Sequence, residues 1–432
     1  MTAHGTPSVP FGAAMRKAHF AFAPHYTPLN HGSYGVAPVP VRRAHEALRA
    51  EAEGAADPFI ALELHGRLAA QRALAANALN CPDVDDLVFV PNATTASDTV
   101  LKNIDWQAGD AVLCYEVVYD ALRSGLLWLE EKYGVSIHVV KLAWPIPDDD
   151  LVEAMVGAAR AINAETRPRR RRVRLAIVDT VVSLPGVRVP FERLVPALQA
   201  EGALVLVDGA HGVGHVDIDL AALRPDFFLT NLHKWLFVPR GCAAFYVARG
   251  RQGLVRSTLP TSFYFAPKGG KSGGEWAEMF DFTGTNDTTN WLCVEAALDF
   301  RTNVCGGDAA IKAYCYSVAQ ASGAAAAKIL GTEVMDVAGS CLRDCCFANV
   351  RLPLEVGAGK IEPENAGKVT GWLKATGYRE SGMYFQTILY RGAWWWRISG
   401  MIYVEVEDFE RGAEVLRDLC VRAQKGEFLE AA

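Results

Sequence analysis

The chain has 432 residues, 50% of them apolar and 21% charged, which is ample material for a packed core and far from the composition of a disordered chain. With 43 basic against 49 acidic side chains and a net charge of −6, it lacks the broad basic face that a phosphate backbone requires, so nucleic acid is not an expected partner. No stretch reaches the roughly 18 uninterrupted apolar residues of a membrane span, and residues 1–20 lack the apolar core of a secretory signal. The ten cysteines form no CxxC pair, which points to reduced thiols in a cytoplasmic protein; no metal site is expected.

In chain order, residues 41–79 read as helix with a break at Asp57-Pro58. Short apolar runs follow at 86–90, 111–114, 137–140, 175–178, 203–207 and 227–229, alternating with helical patterns such as 121–133. Several runs are apolar on both faces, as parallel strands buried between helices are, and the alternation predicts a central α/β domain. Beyond about residue 295 the texture changes. A long helical stretch at 291–330, strands at 347–352, 387–389 and 394–398, and a closing helix at 406–424 read as a separate α+β domain. The expected division is an N-terminal segment 1–50 contributing to the active site and small domain, a large domain 51–295 and a small C-terminal domain 296–432. The arginines from Arg167 to Arg174 around Pro168 read as a solvated loop and the glycine-rich 268–274 as a mobile one. Phe263-Tyr264-Phe265 and Trp394-Trp395-Trp396 are candidate pocket walls; in a strand Trp394 and Trp396 share one face and Trp395 takes the other, so at least one of them is core.

The chemistry centres on two segments. Val205-Leu206-Val207-Asp208-Gly209-Ala210-His211 ends an apolar strand in a carboxylate, at the sheet edge where open α/β folds keep their ligands. The next apolar run ends just before Asn231-Leu232-His233-Lys234-Trp235. An Asp and a Lys delivered to one cleft are what pyridoxal phosphate needs: an amine for the Schiff base and an acid partner for the pyridine nitrogen. A capping Asp and a surface Lys would leave the same trace. Pro91-Asn92-Ala93-Thr94-Thr95-Ala96 follows a strand and opens a helical pattern, so its hydroxyls and N–H groups suit a phosphate or ordinary capping equally well.

Together with Leu29-Asn30-His31-Gly32-Ser33-Tyr34-Gly35 and Trp396-Arg397-Ile398-Ser399, these motifs resemble the class V aminotransferase-like enzymes of fold type I. The nearest likeness is to the branch of isopenicillin N epimerase-like proteins and fungal hercynylcysteine sulfoxide lyases, and it spans nearly the whole chain. The resemblance implies an α/β fold: a large domain with a mixed, mostly parallel sheet flanked by helices, plus a small α+β C-terminal domain. It implies pyridoxal 5'-phosphate as cofactor, with Lys234 as its Schiff-base lysine, Asp208 on the pyridine nitrogen and His211 near the phenolic oxygen. Thr94, Thr95 and His233 would contact the phosphate, and Tyr119 would lie over the ring with a catalytic part. Thr285 would reach the phosphate of a neighbouring subunit, which makes the protein a homodimer with shared active sites. Asn30, His31, Gly32, Ser33 and Arg397 would bind the substrate, Arg397 clamping its carboxylate through two parallel hydrogen bonds.

The chain departs from the wider superfamily in two places. Cysteine desulfurases carry a nucleophilic Cys shortly before the carboxylate arginine, whereas none lies between Tyr378 and Arg397 here; Cys341, Cys345 and Cys346 read as structural thiols. Tyr115-Glu116-Val117-Val118-Tyr119-Asp120-Ala121 replaces the Tyr-Gly-Ala-Cys-like turn of the sulfoxide lyases, which points to a different substrate. The expected activity is removal of the Cα proton of an amino-acid substrate followed by β-elimination at a C–S bond of a cysteine-derived conjugate. Mannich-type C–C bond formation in alkaloid biosynthesis and amino-acid epimerisation share the same Cα carbanion and stand as alternatives. Transamination and an inactive fold relative rank below them.

Overall fold

The computed structural model describes residues 5–165, 172–257, 259, 273–357 and 361–430. The aromatic segment 263–265, most of the glycine-rich stretch 268–274 and most of the arginine run lie outside the described residues. The chain forms two compact units, one of Tyr34–Val182 and Val189–Asp299, the other of Met1–Ser33, Ser183–Arg188 and Phe300–Ala432.

The larger unit is built on seven strands: β1 (Leu87–Val90), β2 (Asp110–Tyr115), β3 (Ser136–Val140), β4 (Arg172–Asp179), β5 (Leu204–Asp208), β6 (Phe227–Asn231) and β7 (Ala243–Val247). They lie in the order β1-β7-β6-β5-β4-β2-β3. β7 is antiparallel to both β1 and β6, and the remaining pairs are parallel, so the sheet is mixed and mostly parallel as expected. Parallel neighbours need crossovers, which the helices Asp120–Tyr133, Asp148–Ala164 and Phe191–Ala200 supply. Because helices cover both faces, Val205, Leu206 and Val207 are all fully buried. Apolar side chains fill most of the strand interiors, and several strands close on a polar residue. Tyr115, Asp179, Asp208 and Asn231 occupy the carboxyl ends of β2, β4, β5 and β6, each 6% exposed or less.

Two helical expectations are refined. The break in 41–79 falls at Ala55, ahead of Pro58, after a helix Val39–Gly54; a π-helical turn Phe59–Glu63 then leads into Leu64–Ala78. The stretch 291–330 is not one helix. Val294–Asp299 and the π-helical turn Phe300–Val304 are separated from Asp308–Leu330 by Gly306 (φ 78°) and Gly307 (φ 96°). Two successive left-handed residues end a helix, and glycine takes that conformation without a Cβ penalty.

The smaller unit contains an antiparallel sheet of β8 (Phe347–Arg351), β9 (Thr387–Tyr390) and β10 (Ala393–Ser399), with β10 in the centre. β9 and β10 are joined by Arg391 (φ 50°) and Gly392 (φ 75°), a two-residue turn whose positive φ values match the twist of a hairpin. Trp394, Trp395 and Trp396 are all buried; Trp396 packs between Phe385 (5.6 Å) and Phe409 (6.0 Å) and is core. Among the described residues no helix is long and apolar enough to cross a membrane.

The closing helix Val406–Gln424 starts on a reciprocal cap between Glu405 and Asp408. Asp408 also accepts Arg16 Nη1 at 2.8 Å and Arg411 Nη2 at 2.6 Å. Asp408→Ala removes the cap and strands Arg16, so a loss of about 2 kcal/mol is expected in urea unfolding of the intact protein, with an unchanged denaturant slope.

Candidate active site

In the larger unit, Asp208 is 5% exposed at the end of β5. Its Oδ1 accepts the Ala210 N–H at 2.9 Å, while Oδ2 has no hydrogen-bond partner among the described residues. Burial pushes its carboxyl above the usual range; the Ala210 N–H and Lys234 work in the opposite direction. A buried carboxylate with one oxygen unpaired is a seat for a cationic N–H, the group a protonated pyridine nitrogen presents.

Lys234 lies in the short helical turn Leu232–Trp235 after β6, 9% exposed, with Nζ 3.1 Å from His211 Nε2. The indole N–H of Trp235 donates to His211 Nδ1 at 3.1 Å. Since an indole nitrogen only donates, Nδ1 is the acceptor and the neutral ring carries its proton on Nε2. That proton points at Lys234 Nζ, and the contact is a hydrogen bond when Nζ offers a lone pair. His215 stacks on the other aromatic partner, its ring centroid 4.0 Å from that of Trp235.

The turn itself is wedged in place. Gly35 has φ +64°, and a Cβ there would overlap the His233 carbonyl and come within 2.8 Å of Lys234 Cα. The Gly35 carbonyl in turn accepts Arg240 Nη1 at 3.0 Å.

The helix Ala93–Asn103 begins close by in sequence to β1 and is capped twice. Asn92 Oδ1 accepts the Thr95 N–H at 2.8 Å and the Thr95 hydroxyl at 3.1 Å, and Asn231 Oδ1 accepts the Ala93 N–H at 2.9 Å. Thr95 is therefore engaged in capping, whereas Thr94 is exposed. His233 Nδ1 donates to the Cys242 carbonyl at 2.8 Å, and burial pulls its pKa down to about 4, helped by Lys234 and Arg240. Tyr119 is 51% exposed, directly before the helix Asp120–Tyr133. Thr285 is exposed on the wall of a cavity of about 500 Å³ that Phe59, Ile60, Arg240 and Asp287 also line.

In the smaller unit, Arg397 stands on β10, 1% exposed. Its Nη1 donates to the Ser183 carbonyl at 2.7 Å, and its Nη2 to Asn30 Oδ1 at 2.8 Å and Ser33 Oγ at 3.1 Å. The guanidinium lies 4.5 Å over the Phe347 ring. Gly32 backs on Phe347, and a Cβ at Gly186 would come 2.7 Å from Arg397 Cδ. His31 Nδ1 lies 2.8 Å from the Tyr403 hydroxyl. Among these residues Asn30, Ser33 and Arg397 are brought together; His31 turns to Tyr403.

Ser183, Gly186 and Phe347 escaped the sequence reading because nothing local marks them. Asp179 and Tyr115 had a signal: each closes an apolar run, as Asp208 does. Cys345 and Cys346 are buried, and burial pushes the Cys345 thiol up to about 12. Among the described residues no group of three metal-ligating side chains gathers. Gly35→Ala forces a Cβ into the His233 carbonyl from a left-handed conformation, and a loss of about 2 kcal/mol or more is expected in urea unfolding.

Comparison with known proteins fits this geometry. Residues 60–341 match the family described as Aminotransferase class-V. An L-cysteine desulfhydrase-like protein, lolT1, of Epichloe uncinata is 36% identical, over 95% of this chain and 96% of that one. The hercynylcysteine sulfoxide lyase of Schizosaccharomyces pombe is 26% identical, over 95% and 98% respectively. The solved complex of the cystine C–S lyase C-DES with cysteine persulfide shares the fold, with a TM-score of 0.73 at 19% identity over 91% of this chain and 97% of that one. The chain belongs to the class-V aminotransferase family and is an enzyme of pyridoxal 5'-phosphate.

Proposed function

We propose that the protein is a lyase that removes the Cα proton of a cysteine-derived amino acid and expels its sulfur substituent. The observation that carries this reading is the Trp235–His211–Lys234 chain, which holds the lysine nitrogen 3.1 Å from His211 Nε2 at the sheet edge that carries Asp208. Lys234 is the group that anchors the cofactor and, once the substrate has displaced it, takes the Cα proton. Bound pyridoxal phosphate supplies an electron sink for the charge left at Cα. Asp208 holds the pyridine nitrogen and His211 the phenolic oxygen. The N-terminus of Ala93–Asn103, with the exposed Thr94 beside the capping Thr95, and with His233, receives the phosphate, and Tyr119 covers the ring. Arg397, with Asn30, His31, Gly32 and Ser33, receives the substrate carboxylate.

The leaving group follows from what the site lacks. A persulfide-forming transfer needs a thiolate acceptor, and the described cysteines near β8 are buried with raised pKa values. Elimination needs none: the Cβ–S bond breaks, its electron pair and a proton leave with sulfur, and aminoacrylate is hydrolysed to pyruvate and ammonia. The names of the relatives, L-cysteine desulfhydrase-like protein and hercynylcysteine sulfoxide lyase, support a C–S bond as the one broken. We also infer a homodimer, supported by the Thr285 loop and the exposed Ile60 (39%) and Leu62 (79%), and a cytoplasmic setting, supported by ten free cysteines.

Incubation with L-cysteine and S-substituted cysteines and their sulfoxides is expected to release pyruvate and ammonia in equal amounts with the sulfur product. Solvent deuterium at Cα with the sulfur retained, or a heavier amino acid formed by C–C bonding, would overturn the elimination. Lys234→Ala should lower kcat by on the order of 10³-fold or more while the cofactor still binds; near-normal turnover would contradict its role. For Arg397→Ala we expect KM to rise about 100-fold with cofactor affinity unchanged, and for Gly186→Ala, which crowds the same guanidinium, about tenfold. An unchanged KM in both would place the carboxylate elsewhere.

A further inference from the structure

The carboxyl edge of the large sheet holds a second buried carboxylate that the chemistry above leaves unused. Asp179 ends β4 as Asp208 ends β5, and the two are paired positions of adjacent parallel strands, 4% and 5% exposed. Neighbouring strands lie about 4.8 Å apart, so these carboxyls share one water-poor environment. The charged and titratable groups that face Asp179 are Asp208 from β5, Tyr115 and Cys114 from β2, and Lys234 after β6; those that face Asp208 are Asp179 and Lys234.

Asp179 is held by a reciprocal pair of bonds. The Tyr115 hydroxyl accepts the Asp179 N–H and donates to Asp179 Oδ2, both at 2.6 Å. Burial and the neighbouring Asp208 push the Asp179 carboxyl well above the usual range, while the Tyr115 O–H and Lys234 work in the opposite direction and favour its charged form. Tyr115 is itself 1% exposed, and its hydroxyl proton is donated to Asp179.

We propose that Asp179, held by Tyr115, is a positioning residue that reinforces Asp208, so that the pyridine nitrogen of the cofactor keeps its proton to higher pH than Asp208 alone would secure. The physical basis is that a negative charge a few ångströms away favours a cation, here by about one pKa unit or more. The proposal rests on Asp208 being the partner of the pyridine nitrogen.

The test uses holoenzyme reconstituted with pyridoxal phosphate labelled at the ring nitrogen, whose NMR shift reports its protonation as pH is raised. Asp179→Asn keeps an acceptor for Tyr115 but removes the charge, and the titration midpoint is expected to fall by about one pH unit. Tyr115→Phe removes a donor that favours the charged form of Asp179, and the midpoint is expected to fall in the same direction by less. If Asp179→Asn does not fold, Tyr115→Phe decides the matter alone. A midpoint that stays at the native pH in the variants that fold overturns the proposal even if kcat drops, because a packing role would lower activity without moving it. Asp208→Asn serves as the control. If it leaves the ring nitrogen unmoved, the pairing of Asp208 with the cofactor is wrong; if it alone moves the midpoint, only the role of Asp179 fails.

Discussion

The burial of Asp208 at the end of an apolar parallel strand is the constraint on which the rest of the site depends. A strand covered by helices on both faces can carry no charge in its interior, so its charge sits at the carboxyl end, where the side chain leaves the pleat. Even there Asp208 is 5% exposed, and a carboxylate so placed must be matched by hydrogen bonds or by a cation. The Ala210 N–H and Lys234 go part of the way to meeting that need.

Around this charge the larger unit controls which nitrogen carries which proton. Trp235 can only donate, which sets the tautomer of His211 and turns Nε2 toward Lys234 Nζ, 3.1 Å away. Gly35 keeps the lysine turn in position by having no side chain.

The smaller unit applies the same logic to a cation. Arg397 is buried with its planar fork already aligned by Asn30, Ser33 and the Ser183 carbonyl and laid on Phe347. A guanidinium held this way loses little side-chain entropy on receiving a carboxylate. Gly32 and Gly186 leave the room that this stacking needs.

The sequence by itself determined the order of strands and helices, the polar residues that close the apolar runs, and the family motifs around Asp208, Lys234 and Arg397, because periodicity, strand ends and contiguous motifs are local properties. It missed β7, whose Ala243-Ala244-Phe245-Tyr246-Val247 has no alternation, and it fused two helices across Gly306-Gly307 because a helical period does not register a reversal of φ. Only the tertiary structure decided that Thr95 is spent on capping while Thr94 is exposed, that Asp179 pairs with Tyr115 beside Asp208, and that Ser183 and Phe347 hold Arg397. The partners of Asp179 and Arg397 lie tens to hundreds of residues away, and a hydrogen bond or stacked ring between them follows from strand register and side-chain direction, which no local pattern encodes.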